Sequence, residues 1–343
     1  MSYEPLVAIT RGDLDESMHY GAVVVADAEG KVLASAGSPQ IETYMRSSAK
    51  PIQALALLES GAADHFRLTP AETAIVIGSH GGEPRHVETV RGILAKIGLS
   101  EEFLICGAHA PYHKPSARAL VQEGKRPSAL HNNCSGKHAG MLALALFRGE
   151  PPEGYFRPEH AVQREILETV AAFTGVPREA IHLAIDGCSA PTFGVPLVSA
   201  AGAFARLIEP DRFAGARRYA ARRAVEAMIA HPEMVAGEGR LDTDLMMAAS
   251  GELIAKAGAE GFYAIGFQRD GRGYGIAFKV SDGEGDRART GMVLRTVEDL
   301  DLFEPAKLAA IASAHLPAVM NRRGTVVGRV EARFHLKPAF ATA

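Results

Sequence analysis

In Arg46-Ser47-Ser48-Ala49-Lys50-Pro51-Ile52-Gln53-Ala54-Leu55-Ala56-Leu57-Leu58-Glu59-Ser60-Gly61 a Ser-x-x-Lys pattern runs straight into an apolar helix. Pro51 suits the first helical turn, where a missing N–H costs least, and Gly61 suits the left-handed position past the helix end. Ser47 and Lys50, three apart in that turn, share a face and lie within mutual reach. A hydroxyl at the start of a buried helix with an amine beside it is the pattern of a nucleophile and its base. Lysine serves as a base once desolvation or a second cation lowers its pKa. Against this stands a plainer reading: one Ser-x-x-Lys is expected by chance in 343 residues, and Ser48 would serve simply as an N-cap.

Around this helix, strand patterns gather at the two chain ends. Leu6–Thr10 reads as a strand with a turn at Arg11-Gly12. Tyr20–Ala26 and Lys31–Ala36 read as a hairpin around Asp27-Ala28-Glu29-Gly30. Late in the chain, Phe262–Gln268 and Tyr274–Val280 flank a hairpin turn at Arg269-Asp270-Gly271-Arg272, and Thr325–Phe334 reads as a final strand. Between them the pattern is helical. Thr69-Pro70-Ala71-Glu72 is a helix start, with Pro84–Ile97, Ser135–Phe147, His160–Phe173, Pro196–Leu207, Phe213–Ala230 and Asp242–Lys256 following, and Ala288–Leu300 later. This is not the alternation of a parallel βαβ fold. It predicts an α+β class: one antiparallel sheet built from both chain ends and covered by helices, with a helical second lobe and a cleft. No linker or internal repeat divides residues 1–343, so a single two-lobed domain is expected.

Apolar residues make up 47% and charged residues 22%, an ordinary soluble composition. With a net charge of −3 and no basic run or basic-aromatic stripe, nucleic acid is not an expected partner. No apolar run reaches bilayer length, and the first residues lack a signal pattern. Three cysteines, few and odd in number, fit a reducing compartment rather than a disulfide framework, so a cytoplasmic setting is expected.

Four further stretches carry chemistry. In Gly78-Ser79-His80-Gly81-Gly82-Glu83 the paired glycines let backbone N–H groups approach a developing oxyanion, although a tight helix–helix turn accounts for them as well. His131-Asn132-Asn133-Cys134-Ser135-Gly136-Lys137-His138 packs amides, a thiol, an amine and imidazoles before an apolar helix, more than capping needs; Asn133 is a candidate N-cap and Gly136 a packing glycine. Ala184-Ile185-Asp186-Gly187-Cys188-Ser189 delivers Asp186 and Cys188 into a turn, with a plain Asx-turn as the alternative. Lys256-Ala257-Gly258 leads into the Phe262 strand. Lys-x-Gly on an edge strand after Ser-x-x-Lys is an order shared with serine β-lactamases and penicillin-binding proteins. Cys106 follows an apolar run and reads as core; His86 and His109 read as surface or satisfied polar groups.

Together these stretches resemble the asparaginase II family, the rhizobial-type L-asparaginases, from about Leu6 to Phe334. The resemblance implies a serine β-lactamase/glutaminase-like fold and hydrolysis of L-asparagine to L-aspartate and ammonia. It implies two Ser–Lys couples, Ser47 with Lys50 and Ser79 with Lys256, and a zinc ion on Cys134, Lys137 and Cys188, with His138 a reasonable substitute ligand. A homodimer is implied as well. On the chemistry of the residues, Ser47 would attack the side-chain amide with Lys50 as base, or Ser79 would be acylated instead. N–H groups around Ser47 and the Gly81-Gly82 turn would form the oxyanion hole. Asp186 would hold the substrate ammonium and Arg46 or His80 its carboxylate, with Glu83 and Asn133 completing the substrate site. A related amidohydrolase acting on glutamine, a β-lactam or a small peptide keeps the same fold. A non-catalytic zinc- or amino-acid-binding protein is the third reading; intact Ser47, Lys50 and Ser79 speak against it.

Overall fold

In a computed structural model of the chain, residues 2–316, 318–337 and 340 are described. They form two compact units: residues up to Ser48, 194–209 and 247 onward make the first, and residues 49–193 with 210–246 make the second.

The first unit is built on an antiparallel sheet in the order Val330–Ala332, Glu4–Arg11, Leu14–Asp27, Arg272–Val280, Phe262–Arg269 and Leu253–Ala257, with Val32–Ala36 branching from Leu14–Asp27. Every pairing with a described register is antiparallel, and the strands come from both chain ends, as the sequence pattern predicts. Leu14–Asp27 is the long central strand. Its first half pairs with Glu4–Arg11 and its second half with Val32–Ala36 and Arg272–Val280, which is why the sequence shows only its apolar end from Tyr20 as strand. The turn at Arg269–Arg272 has positive φ at both Asp270 and Gly271, the twist a two-residue hairpin requires. Helix Leu197–Ile208 packs on strands Leu14–Asp27, Phe262–Arg269 and Arg272–Val280. Helix Ala288–Asp299 packs on Glu4–Arg11, Arg272–Val280 and Val330–Ala332. A sheet buried by helices in this way is the α+β solution to two apolar sheet faces.

The second unit is almost entirely helical. Its centre is helix Lys50–Glu59, in which every residue from Lys50 to Leu58 is buried. Helices Pro70–Ile77, Ser135–Arg148, Ala161–Thr174 and Gly215–Ala230 pack around it. An element apolar on all sides has no solvent face and must lie at the core. Helix Pro70–Ile77 starts as its sequence predicts, in a capping box between Thr69 and Glu72.

Three expectations need correction. The helical pattern over Asp242–Lys256 ends at Ala248, and Leu253–Ala257 is the edge strand of the sheet, because the left-handed Ser250 and Gly251, at φ +53° and +98°, turn the chain out of the helix and the apolar run beyond them pairs with Phe262–Arg269. The last strand is interrupted into Val326–Gly328 and Val330–Ala332. The middle also holds two strands the pattern hides, His182–Ile185 and Pro191–Pro196. Among the described residues no helix is long and apolar enough to cross a membrane.

Candidate functional site

Ser47 and Ser48 lie on a 3-10 turn, Arg46–Ala49, that runs directly into helix Lys50–Glu59. Arg46 opens it with φ +50°, a left-handed conformation that non-glycine residues adopt only under constraint. Ser47 is half-buried and Ser48 fully buried. Ser48 is not the N-cap, which is Ala49 without any side-chain cap. Its hydroxyl instead donates to the Lys256 carbonyl at 2.6 Å, tying the turn to the edge strand. That close approach explains the glycine of Lys-x-Gly: a Cβ at Gly258 would stand 2.7 Å from the Met45 carbonyl oxygen and 3.2 Å from Ser48 Oγ. Lys256 is completely buried, and its Nζ donates to the Ala257 carbonyl at 2.9 Å. Arg46 Nη1 lies 3.9 Å from Glu260 Oε1.

Lys50, in the helical unit, is sealed from solvent. Its Nζ lies 2.6 Å from the Gly78 carbonyl, 3.0 Å from the Asn133 carbonyl and 2.9 Å from Ser79 Oγ. Burial pushes its pKa below the ordinary lysine value; nearby Lys137 acts in the same direction, against the opposing pull of Cys134 and Cys188. A neutral amine has two protons and one lone pair. As an ammonium Lys50 donates to all three; in its neutral form the two carbonyls, which can only accept, would take both protons and the lone pair would be left for the Ser79 hydroxyl. Ser79 is thus the hydroxyl the structure joins to the lysine of Ser-x-x-Lys.

The rest of the Gly78–Glu83 turn is held by its own side chains. His80 is fully buried; its Nδ1 accepts from Gly82 N–H at 3.2 Å, and its Nε2 faces Ser135 Oγ at 2.9 Å. Burial and the neighbouring His86 and Lys50 charges drive its pKa well below the usual imidazole value, so the ring is neutral. A carboxylate contact from His80 would require one of these bonds to break. The Gly82 N–H, expected as an oxyanion donor, is committed to His80 for the same reason. Glu83, also buried, accepts from Glu238 N–H at 2.9 Å and pairs with Arg85 at 2.9 Å. His86 donates to the Glu233 carbonyl at 2.8 Å, and its Nδ1 accepts from Glu83 N–H.

Cys134, Lys137, His138 and Cys188 form a second buried cluster in the helical unit. Helix Ser135–Arg148 can bring them against its neighbour because a Cβ at Gly136 would collide with the Ile75 carbonyl, which makes Gly136 the packing glycine the sequence suggests. Cys134 rather than Asn133 occupies the N-cap position, and its N–H is taken by Asn132 Oδ1 at 2.8 Å. Lys137 Nζ donates to Cys188 Sγ at 3.1 Å. A hydrogen bond from Cys134, then the Lys137 charge and His138, pull the Cys188 pKa down, while the Cys134 pKa is pushed up by the same bond and by burial. Burial alone would make Lys137 less basic, yet Cys188, Cys134 and Asp186 together raise its pKa, so it is a buried ammonium. His138 is neutral by burial. Its Nδ1 meets Tyr155 Oη at 2.6 Å, and Cys188 lies close enough to oppose the effect of burial. Asp186 is half-buried in the tight turn before Cys188, its carboxylate accepting from Gly187 N–H at 2.7 Å. Cys106 lies in the core as expected, its thiol pushed up to about 12 by burial.

Among the described residues no three His, Cys, Asp or Glu converge to hold a metal. Two sulfurs and a lysine nitrogen nonetheless fit zinc in kind, provided that Lys137 and Cys134 give up their protons. The groups sequence reading missed are mostly backbone atoms. Nothing in the identity of Gly78 or Asn133 announces that its carbonyl holds Lys50.

The family profile of L-asparaginase II matches residues 7–332. No curated protein matches the chain in sequence. Among solved structures, Mglu in its native form is 15% identical over 82% of this chain and 64% of that chain, with a TM-score of 0.46. The chain therefore spans less than two thirds of Mglu's length. A β-lactamase-like protein from Bacteroides dorei is 14% identical over 78% of this chain and 86% of its own, with a TM-score of 0.43. A Bacillus glutaminase is 14% identical over 82% and 91%, with a TM-score of 0.38.

Proposed function

The chain belongs to the L-asparaginase II family, an amidohydrolase family, and from that premise we propose that it hydrolyses L-asparagine to L-aspartate and ammonia through an acyl-enzyme. The observation that carries the proposal is Lys50: a buried amine of depressed pKa with two carbonyls and the Ser79 hydroxyl at hydrogen-bond distance, so that its neutral form would turn its lone pair to that hydroxyl. Such a group is available as a base at lower pH than an ordinary lysine.

In this reading Ser79 Oγ attacks the side-chain amide carbon while its proton passes to Lys50 Nζ. Lys50 returns that proton to the departing nitrogen, the C–N bond breaks and ammonia leaves. Water then attacks the aspartyl ester, its proton again taken by Lys50, and Ser79 is restored. The resemblance pairs Ser47 with Lys50 and Ser79 with Lys256; the Lys50–Ser79 contact favours the other pairing for the first step, and Ser47 and Lys256, both in the sheet unit, are proposed to serve the same reaction. Asp186 is proposed to receive the substrate ammonium and Arg46 its carboxylate. Zinc, when bound, would be held by Cys134, Cys188 and Lys137, with His138 as a substitute for the lysine. It would supply a fixed positive centre beside the site.

Ammonia release from asparagine, glutamine and a chromogenic β-lactam tests the substrate. Asparagine turnover at least about tenfold above the others supports the proposal, and β-lactam hydrolysis alone sinks it. Mass spectrometry of the quenched reaction assigns the ester. An adduct on Ser79 that is lost in Ser79→Ala but kept in Ser47→Ala supports the assignment; an adduct on Ser47 reverses it. Zinc content of one ion per chain, abolished by Cys188→Ala but not by Lys50→Met, is the expected result for the metal.

A further inference from the structure

We propose that His109 is a positioning residue for Lys50, acting through the backbone of Asn133; this rests on Lys50 being the base. His109 lies between Cys106 and helix Lys114–Gln122, half-buried, its ring stacked on Tyr112 at 4.7 Å. Its Nε2 accepts the Asn133 N–H at 3.0 Å, and its Nδ1 lies 2.7 Å from the Ala110 carbonyl. A neutral imidazole carries one proton. With Nε2 accepting, that proton sits on Nδ1 and is donated to Ala110, so one tautomer is fixed and both nitrogens are committed.

Asn133 is also the residue whose carbonyl accepts one of the two protons of Lys50. Its Cα thus lies between two hydrogen bonds, one to the His109 ring and one to the base. Asn133 precedes helix Ser135–Arg148, where no helical carbonyl waits for its N–H, so without His109 this segment has no such anchor. Movement of the carbonyl would release an amine proton of Lys50 and turn its lone pair away from Ser79. Misplacement by about an ångström can cost on the order of a hundredfold in rate. The Asn133 side-chain Oδ1 lies 3.4 Å from the same Nε2.

Two variants separate positioning from packing. His109→Gln keeps an acceptor near the place of Nε2, whereas His109→Leu keeps the bulk and removes it. We expect kcat to fall about ten- to a hundredfold in His109→Leu with KM within about twofold, and to stay within about threefold of wild type in His109→Gln. Hydrogen exchange of the peptide containing Asn133 gives a readout that needs no turnover: protection is lost in His109→Leu and kept in His109→Gln. If the wild-type chain releases ammonia from no amide, the functional reading fails and exchange alone decides the contact. Unchanged protection in His109→Leu, or equal loss of kcat in both variants, overturns the proposal.

Discussion

Lys50 and Lys137 are both sealed inside the helical unit, and the protein pulls their proton affinities in opposite directions. Burial favours the neutral amine at both. What differs is the company. Lys50 touches two carbonyls and a hydroxyl, neutral partners that accept a proton without fixing a charge. Lys137 touches the Cys188 sulfur, which together with Cys134 and Asp186 overcomes the desolvation. Desolvation sets a common bias, and the balance of nearby charges decides which way each lysine moves: Cys188, Cys134 and Asp186 overcome it at Lys137, while at Lys50 the pull of Cys134 and Cys188 does not.

The sharpest way to break this comparison is to remove the base. Lys50→Met should cost about 10³-fold in kcat, within the range for loss of a general base, measured as ammonia release from asparagine. A variant within tenfold of wild type would mean that Lys50 is only a buried strut. On the other side, Cys188→Ala strips Lys137 of its anion and leaves a charge without a partner in the core, which should cost about 3–5 kcal/mol in urea unfolding. Adding Lys137→Met to Cys188→Ala should recover much of that loss, since a methionine in the space of the ammonium needs no anion. A single variant as stable as wild type would show that the Lys137–Cys188 pair carries no charge.

The sequence makes one of these environments more legible than the other. Ser47, Lys50 and Pro51 stand in one stretch because a helix start is local, and the antiparallel sheet follows from apolar patterns at the two chain ends. The partner of Lys50 is not local: Ser79 comes from a separate turn 29 residues on and is joined to the amine in space. No side-chain pattern encodes the Gly78 and Asn133 carbonyls, which any residue would supply. His80 and Glu83 look like ligands in a string of letters, yet their polar atoms are spent holding the turn. Lys256 is obscured differently, because the periodicity over Asp242–Lys256 suits a helix until strand pairing claims its end.

A finer test uses pH. Lys50 has a folded-state pKa below its unfolded one. As pH falls below the ordinary lysine value of 10.5, the unfolded chain takes up the proton first and stability is lost until the folded pKa is passed. Lys137 has the opposite sign: its stabilisation is complete below 10.5 and disappears as pH rises through its raised folded value. The acid limb of kcat/KM reports the Lys50 proton, so it should lie below 10.5. Because the Lys137 charge lowers the Lys50 pKa and Cys188 raises it, Lys137→Met should move the limb to higher pH and Cys188→Ala to lower pH. Shifts in one common direction would mean that the variants act by repacking and not by charge.

The smallest effect concerns the third buried lysine. Lys256 is held through its backbone: Ser48 Oγ donates to its carbonyl at 2.6 Å, and Gly258 lets strand and turn approach that closely. Ser48→Ala removes one buried hydrogen bond and leaves one carbonyl without this donor, which should cost about 1 kcal/mol in unfolding free energy. The Lys50 contacts to Gly78, Ser79 and Asn133 do not pass through Ser48, so the acid limb of kcat/KM should stay where it is. If Ser48→Ala moved that limb as far as Lys137→Met does, the turn before helix Lys50–Glu59 would be setting the proton affinity of Lys50. The division between a lysine tuned by its partners and one held by its backbone would then fail.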